Sequence, residues 1–128
     1  MRVTPTDVPN SLHAVGSLRA VREVVLAPEV AGRVVSIGFD AGETVAAEQQ
    51  LLQLYDAPEQ ADRAAALARV KLADAQLKRA ARLVDSGAES REILDQRTAE
   101  RDQALAAVKQ LDARIAQKQI RAPFAGQL

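Results

Sequence analysis

Between residues 58 and 118 apolar side chains recur with a helical rhythm, and on either side they gather into short β-branched runs. Ala66, Val70, Ala73, Leu77, Ala80 and Val84 stand 4, 3, 4, 3 and 4 residues apart, which puts them on one face of a helix. Arg69, Lys71, Asp74, Lys78, Arg79 and Arg82 fall between them as solvated positions. Leu94, Arg97, Arg101, Ala104, Val108, Leu111 and Ile115 repeat the rhythm at 3, 4, 3, 4, 3 and 4. The pattern predicts helices over 58–85 and 90–118. Asp56 or Ala57 can cap the first, Pro58 suits its first turn, and Glu59 and Asp62 place negative charge at its N-terminus. Ser86-Gly87 stops it, with Gly87 as the residue after the cap. Ser90 offers a capping hydroxyl to the second helix and Glu92 lies in its first turn; Ile93 occupies the place where a Glu or Gln would complete a capping box. Two helices of equal length with so short a link must lie antiparallel.

Arg97 and Arg101 interrupt the second seam near the turn. Their aliphatic stems can cover the seam while the charges reach water. Either the helices diverge there, or these arginines face a neighbouring copy.

The flanks read differently. Val21, Val24 and Val25 predict a strand within 18–26, after an irregular stretch broken by Pro5, Pro9 and Gly16. That strand has no partner nearby and is expected to belong to a second β module. Val30, Val34-Val35, Ile37, Val45 and the run Leu51-Leu52-Gln53-Leu54 predict several short strands, punctuated by Gly32, Gly38 and a turn at Asp40-Ala41-Gly42. Pro28 belongs at the start or edge of a strand. Residues 26–34, LAPEVAGRV, and 120–128, IRAPFAGQL, are near-copies of one β signature, separated by about ninety residues of helical character. This is the pattern of one small β domain split by an inserted helical hairpin. The expected class is α+β and elongated, a spacer rather than a compact enzyme.

Composition supports that shape. Aromatic residues make up 2% of the 128, and eleven alanines lie between Ala57 and Ala88, which suits helices packed closely along a thin seam. Seventeen basic and 17 acidic groups cancel, which argues against a nucleic-acid surface. Without cysteine there is no disulfide or thiolate chemistry. No apolar run reaches the roughly 18 residues of a membrane span, and no signal peptide is visible. His13, the single histidine, lies in the irregular segment without a partner cluster. Asp56, Glu59 and Asp62 are explained by helix N-terminal charge. Gly32, Gly38 and Gly42 precede no helix and no Lys-Ser/Thr, so they form no phosphate loop. No catalytic dyad, metal site or cofactor site can be assembled.

The segment VAGRVVSIGFDAGETVAAEQQLLQL resembles the first half of a lipoyl or biotinyl carrier domain. A true carrier bears its modified Lys at the turn between halves. Here that place reads Leu54-Tyr55-Asp56-Ala57-Pro58, with Ala57 where the Lys would stand; the first lysine of the chain is Lys71. A half-lipoyl unit followed by a helical hairpin and then by IRAPFAGQL resembles the periplasmic adaptors, or HlyD-like membrane fusion proteins, of tripartite efflux pumps. The resemblance implies residues 1–25 as a linker with the first strand of a β-barrel region, 26–56 as the first lipoyl half, 57–119 as the hairpin and 120–128 as the start of the second half, the remainder lying beyond residue 128. It implies no enzyme activity and no cofactor. The expected partners are an inner-membrane transporter, RND type favoured, a TolC-like outer-membrane channel, and further copies of the chain in a ring, hexameric in the full assembly. The expected location is the periplasm, at the inner membrane, and the expected task is efflux of drugs or other small molecules. Channel-docking adaptors carry an Arg, a Leu four residues later and a Ser seven after that. This sequence has Arg79, Leu83 and Ser90 at that spacing. By resemblance Arg79 donates hydrogen bonds to the channel, Leu83 fills an apolar depression, and Ser90 shapes the turn or bonds to the channel. A solvated arginine, a hairpin contact and a plain helix cap are the simpler readings of the three. A structural coiled-coil part of a secretion assembly is the alternative function; a lipoyl or biotinyl carrier is disfavoured by Ala57.

Overall fold

The computed structural model describes residues 4–5 and 11–128. Pro9 lies outside the described residues. In chain order the elements are β1 (Val34–Ile37), β2 (Thr44–Val45), β3 (Gln50–Leu54), α1 (Ala57–Asp85), α2 (Arg91–Gln117), β4 (Gln119–Arg121) and β5 (Gly126–Gln127).

β3 is the centre of an antiparallel sheet in the order β1-β3-β4, and β2 pairs separately with β5. Leu52 lies opposite Ile37 on one side and Ile120 on the other. The chain therefore leaves the sheet after β3, travels out along α1, returns along α2 and re-enters beside the strand it left. The Leu54 amide donates to the carbonyl of Lys118, the residue that ends α2, at 2.8 Å. One bond thus ties the base of the hairpin to the ladder.

The β core is small: Val45, Leu51 and Ala122, with Phe39 packed against them. Leu54 is the most completely enclosed large side chain, 2% exposed. Gly38 is needed for backbone approach, because a Cβ there would lie 2.8 Å from the Gln50 carbonyl oxygen. Glu48 takes a left-handed φ of 63°, held by its amide bond to the Ala122 carbonyl at 2.7 Å and by Arg121, which donates to its carbonyl at 3.0 Å.

The strand expected within 18–26 does not form. Residues 11–33 carry no regular structure, and Val21 and Val25 are exposed. A strand is stabilised by its ladder, and nothing among the described residues pairs with this segment. Arg22 instead lies over the Phe124 ring at 5.4 Å. Val30 and Pro28 likewise fall outside the strands.

The helices follow their predicted bounds within a residue. Every apolar position of both seams is buried or half-buried, with Ala66, Ala73 and Ala80 of α1 and Val108 and Ile115 of α2 as the most enclosed. Small residues on one helix let the larger ones of the other approach closely. Gly87 closes the link with φ of 77°, a left-handed conformation that side chains resist. Among the described residues no helix is long and apolar enough to cross a membrane.

Candidate functional site at the hairpin tip

At about 1.5 Å per residue, the 29 residues of α1 carry the tip roughly 40 Å from the sheet. Three of the hydrogen bonds in the turn converge on one carbonyl. Leu83 O accepts from Ala88 N at 2.8 Å, Glu89 N at 3.3 Å and Ser86 Oγ at 3.0 Å. Those bonds fix the backbone of Leu83 while leaving its side chain 37% exposed. A hydrophobic side chain held in place and open to water is suited to insertion into a partner.

Arg79 lies one turn before Leu83 on the same side of α1 and is exposed. The two residues line one depression of about 200 Å³, closed by Gln76 and Ala80 from α1, by Glu89, and by Ile93 and Arg97 from α2. Ser90 is not part of it. Its Oγ accepts from the Ile93 amide at 3.4 Å, as the predicted N-cap. The structure therefore joins Arg79 and Leu83 and sets Ser90 apart as the residue that starts α2.

Gln76, Glu89, Ile93 and Arg97 were not among the sequence-predicted site residues. Glu89, Ile93 and Arg97 reach the depression from beyond α1, so spacing along that helix does not reveal them, whereas Gln76 lies on α1 itself, three residues before Arg79.

The arginines of the α2 seam are bonded inside the chain. Arg97 Nη1 donates to Glu100 Oε2 at 2.8 Å, and Arg101 Nε to Asp74 Oδ1 on α1 at 3.1 Å. The first bond holds the Glu100 carboxyl below the usual carboxylate range. Further down, Arg63 pairs with Asp112 and Lys118 with Glu59. Asp56 accepts from Gln60 Nε2 at 3.0 Å. The acidic residues at the start of α1 are thus placed by the helix and its partners rather than gathered at a reactive centre. Among the described residues no group of three His, Asp or Glu side chains could hold a metal ion.

No protein-family model and no curated protein matches the chain. Solved structures do. A MacA-MexA chimeric protein containing the Pseudomonas aeruginosa MexA α-hairpin domain superposes with a TM-score of 0.73 at 25% identity, over 77% of this chain and 36% of that one. A candidate efflux transporter from Bacteroides eggerthii gives 0.68 at 23% identity, over 76% and 30% of the two chains. The membrane fusion protein Spr0693 from Streptococcus pneumoniae gives 0.63 at 19%, over 75% and 46%. The chain thus spans between about a third and a half of the length of the proteins it resembles.

Proposed function

We propose that this chain, a member of the membrane fusion protein family of periplasmic adaptors, links an inner-membrane transporter to a TolC-like outer-membrane channel, with the hairpin tip as the channel-docking end. The observation that carries this reading is the placement of Leu83. It is an apolar side chain held open by a bonded turn, beside Arg79, at the far end of a long arm whose root is clamped between β3 and β4. The likeness to structures of membrane fusion proteins supports the adaptor role. The channel, the RND-type transporter, the periplasmic location at the inner membrane and the ring of copies are our reading of it.

In this reading the β module is the first part of a lipoyl-like unit. The matched motifs support it: Ala31-Gly32-Arg33 leads into β1, and its copy Ala125-Gly126-Gln127 contains β5. Such a unit would serve as a packing block, because Ala57 at the turn offers no amine for a lipoyl or biotinyl arm. Force for transport would come from the transporter. The adaptor's own contribution is geometric: reach from the helices, grip from the tip, and a root that transmits pull into the sheet.

Capture of the purified chain on an immobilised TolC-like channel tests the tip. Leu83→Asp should abolish capture while far-UV circular dichroism stays that of the parent, because Leu83 is a third exposed and contributes little to the seam. Equal capture of parent and variant would refute the docking assignment.

A further inference from the structure

Two guanidinium groups, one from each helix, meet at the depression beside Leu83. Arg79 of α1 and Arg97 of α2 both line it, together with the apolar side chains of Ala80, Leu83 and Ile93. Glu89 is the one carboxylate of the lining. The tip as a whole carries no net charge. Lys78, Arg82 and Arg91 are matched by Asp85, Glu92 and Asp95, all exposed, and Arg97 is matched by Glu100, which stands outside the lining. Any preference of the depression therefore comes from where its donors stand, and not from a long-range field.

The two arginines are held differently. Arg79 is exposed and forms no ion pair among the described residues. Arg97 is half-buried and steadied: its Nη1 donates to Glu100 Oε2 at 2.8 Å, while Glu100 Oε1 accepts from Gln96 Nε2 at 3.2 Å. Both oxygens of Glu100 are thus engaged. A guanidinium carries five N–H donors, and the bond to Glu100 uses one of those of Arg97. The other four have no hydrogen-bond partner among the described residues. The depression therefore offers donors from two sides and an apolar surface between, in a space of about 200 Å³ that admits a side chain and not a helix.

From this arrangement we infer that Arg97 is a second docking arginine, and that the depression takes the carboxylate of one Asp or Glu side chain from a loop of the channel, gripped by Arg79 on one side and Arg97 on the other. Glu100 is the positioning residue and acts through Arg97. Planar guanidinium forks match the two oxygens of a carboxylate, and arginines beside well-packed apolar contacts are where binding energy concentrates. The contact is reciprocal: Leu83 enters the channel, and an acid of the channel enters the chain. The inference rests on the docking reading of the tip and deepens it, adding a residue of α2 to Arg79 and Leu83 and stating the chemistry of the group they hold. The competing role of Arg97 is internal, a staple to Glu100 whose stem covers the seam.

Capture of the whole chain on an immobilised TolC-like channel tests it, with Leu83→Asp run alongside. Arg97→Met keeps a stem over the seam and removes the fork; it should weaken capture at least about tenfold while far-UV circular dichroism stays that of the parent. Arg97→Lys, a charge without the fork, should fall between the two. Glu100→Gln should weaken capture by a smaller factor, and should have no further effect once Arg97→Met is present, because it acts only through that side chain. Arg101→Met is the control. Arg101 is also a seam arginine in an ion pair, with Asp74, but it does not line the depression, so its variant should be captured like the parent. Charge exchange identifies the partner group. Arg97→Glu should lose capture, and among channels in which each loop Asp or Glu is replaced in turn by Arg, one should restore it; that rescue also shows the variant to be folded. Parent-like capture of Arg97→Met would overturn the inference. So would an equal loss in Arg101→Met, which would place the effect in the hairpin and not in the depression, or a scan in which no channel replacement rescues Arg97→Glu. The docking reading survives each of these results as long as Leu83→Asp loses capture; it falls only if Leu83→Asp is captured like the parent.

Discussion

Replacing Leu54 by Ala should cost more stability than breaking any ion pair along the hairpin. Leu54 is 2% exposed, and its strand is bonded on both sides, to β1 opposite Val34 and to α2 through Lys118 O. Gly32 lies against its side chain, so near that a Cβ there would come within 3.3 Å of Leu54 Cδ1. With the backbone pinned on two edges, the space left by three carbons cannot collapse fully. Leu→Ala at such sites costs about 2–5 kcal/mol, and we expect about 3. For a chain of this size that corresponds to a fall of roughly 12 °C in Tm. Asp74→Ala is the control. Its pair with Arg101 leaves the two side chains 44% and 39% exposed, and exposed pairs contribute only about 0.2–1 kcal/mol. The assay is thermal unfolding followed at 222 nm, which reports the helices although Leu54 lies outside them. Early loss of helix in Leu54→Ala therefore also shows that sheet and hairpin melt as one unit. A Tm within about 4 °C of the parent, or a smaller fall than that of Asp74→Ala, would refute the reasoning.

Ala73→Leu should destabilise the hairpin by about 1–3 kcal/mol by overfilling the seam, seen as a lower urea midpoint; an unchanged midpoint would mean the helices stand apart there. Gly38→Ala should cost a similar amount, about 1–3 kcal/mol, because its new methyl meets the Gln50 carbonyl at 2.8 Å and the backbone must shift; urea unfolding checks it. Carboxyl NMR should show Glu100 titrating below the ordinary carboxylate range, returning toward it in Arg97→Ala. Because this pKa is depressed on folding, its share of stability is present above the unfolded value and fades as pH falls through the folded one. An identical midpoint with and without Arg97 would contradict the assigned bond.

The helical part was legible in the sequence because its signal is redundant. Seam spacing, Pro58, Gly87 and Ser90 each mark the same boundaries, and the structure honours them. The β part was legible where a partner exists: Leu51–Leu54 found Val34–Ile37 and Gln119–Arg121. Val21, Val24 and Val25 have equal β-propensity and form no strand, since propensity is realised only in a ladder. At the tip, Arg79 and Leu83 could be named from their spacing on one helix. Arg97 and Ile93 could not, because proximity across a turn depends on the register of two helices and not on distance along either. The roles of Arg97 and Arg101 were undecided for the same reason; the geometry bonds Arg101 to Asp74 across the hairpin and Arg97 to Glu100 on its own helix.

Because α1 and α2 are rooted in adjacent strands of one ladder, residues can be added or removed at the far end in equal numbers without any strand changing its neighbour. Removing one seven-residue repeat from each helix draws the tip in by about 10 Å and returns every remaining seam residue to the same facing partner. Reach is thereby separated from anchorage: the root decides what holds the arm, and the count of repeats decides how wide a gap it can bridge.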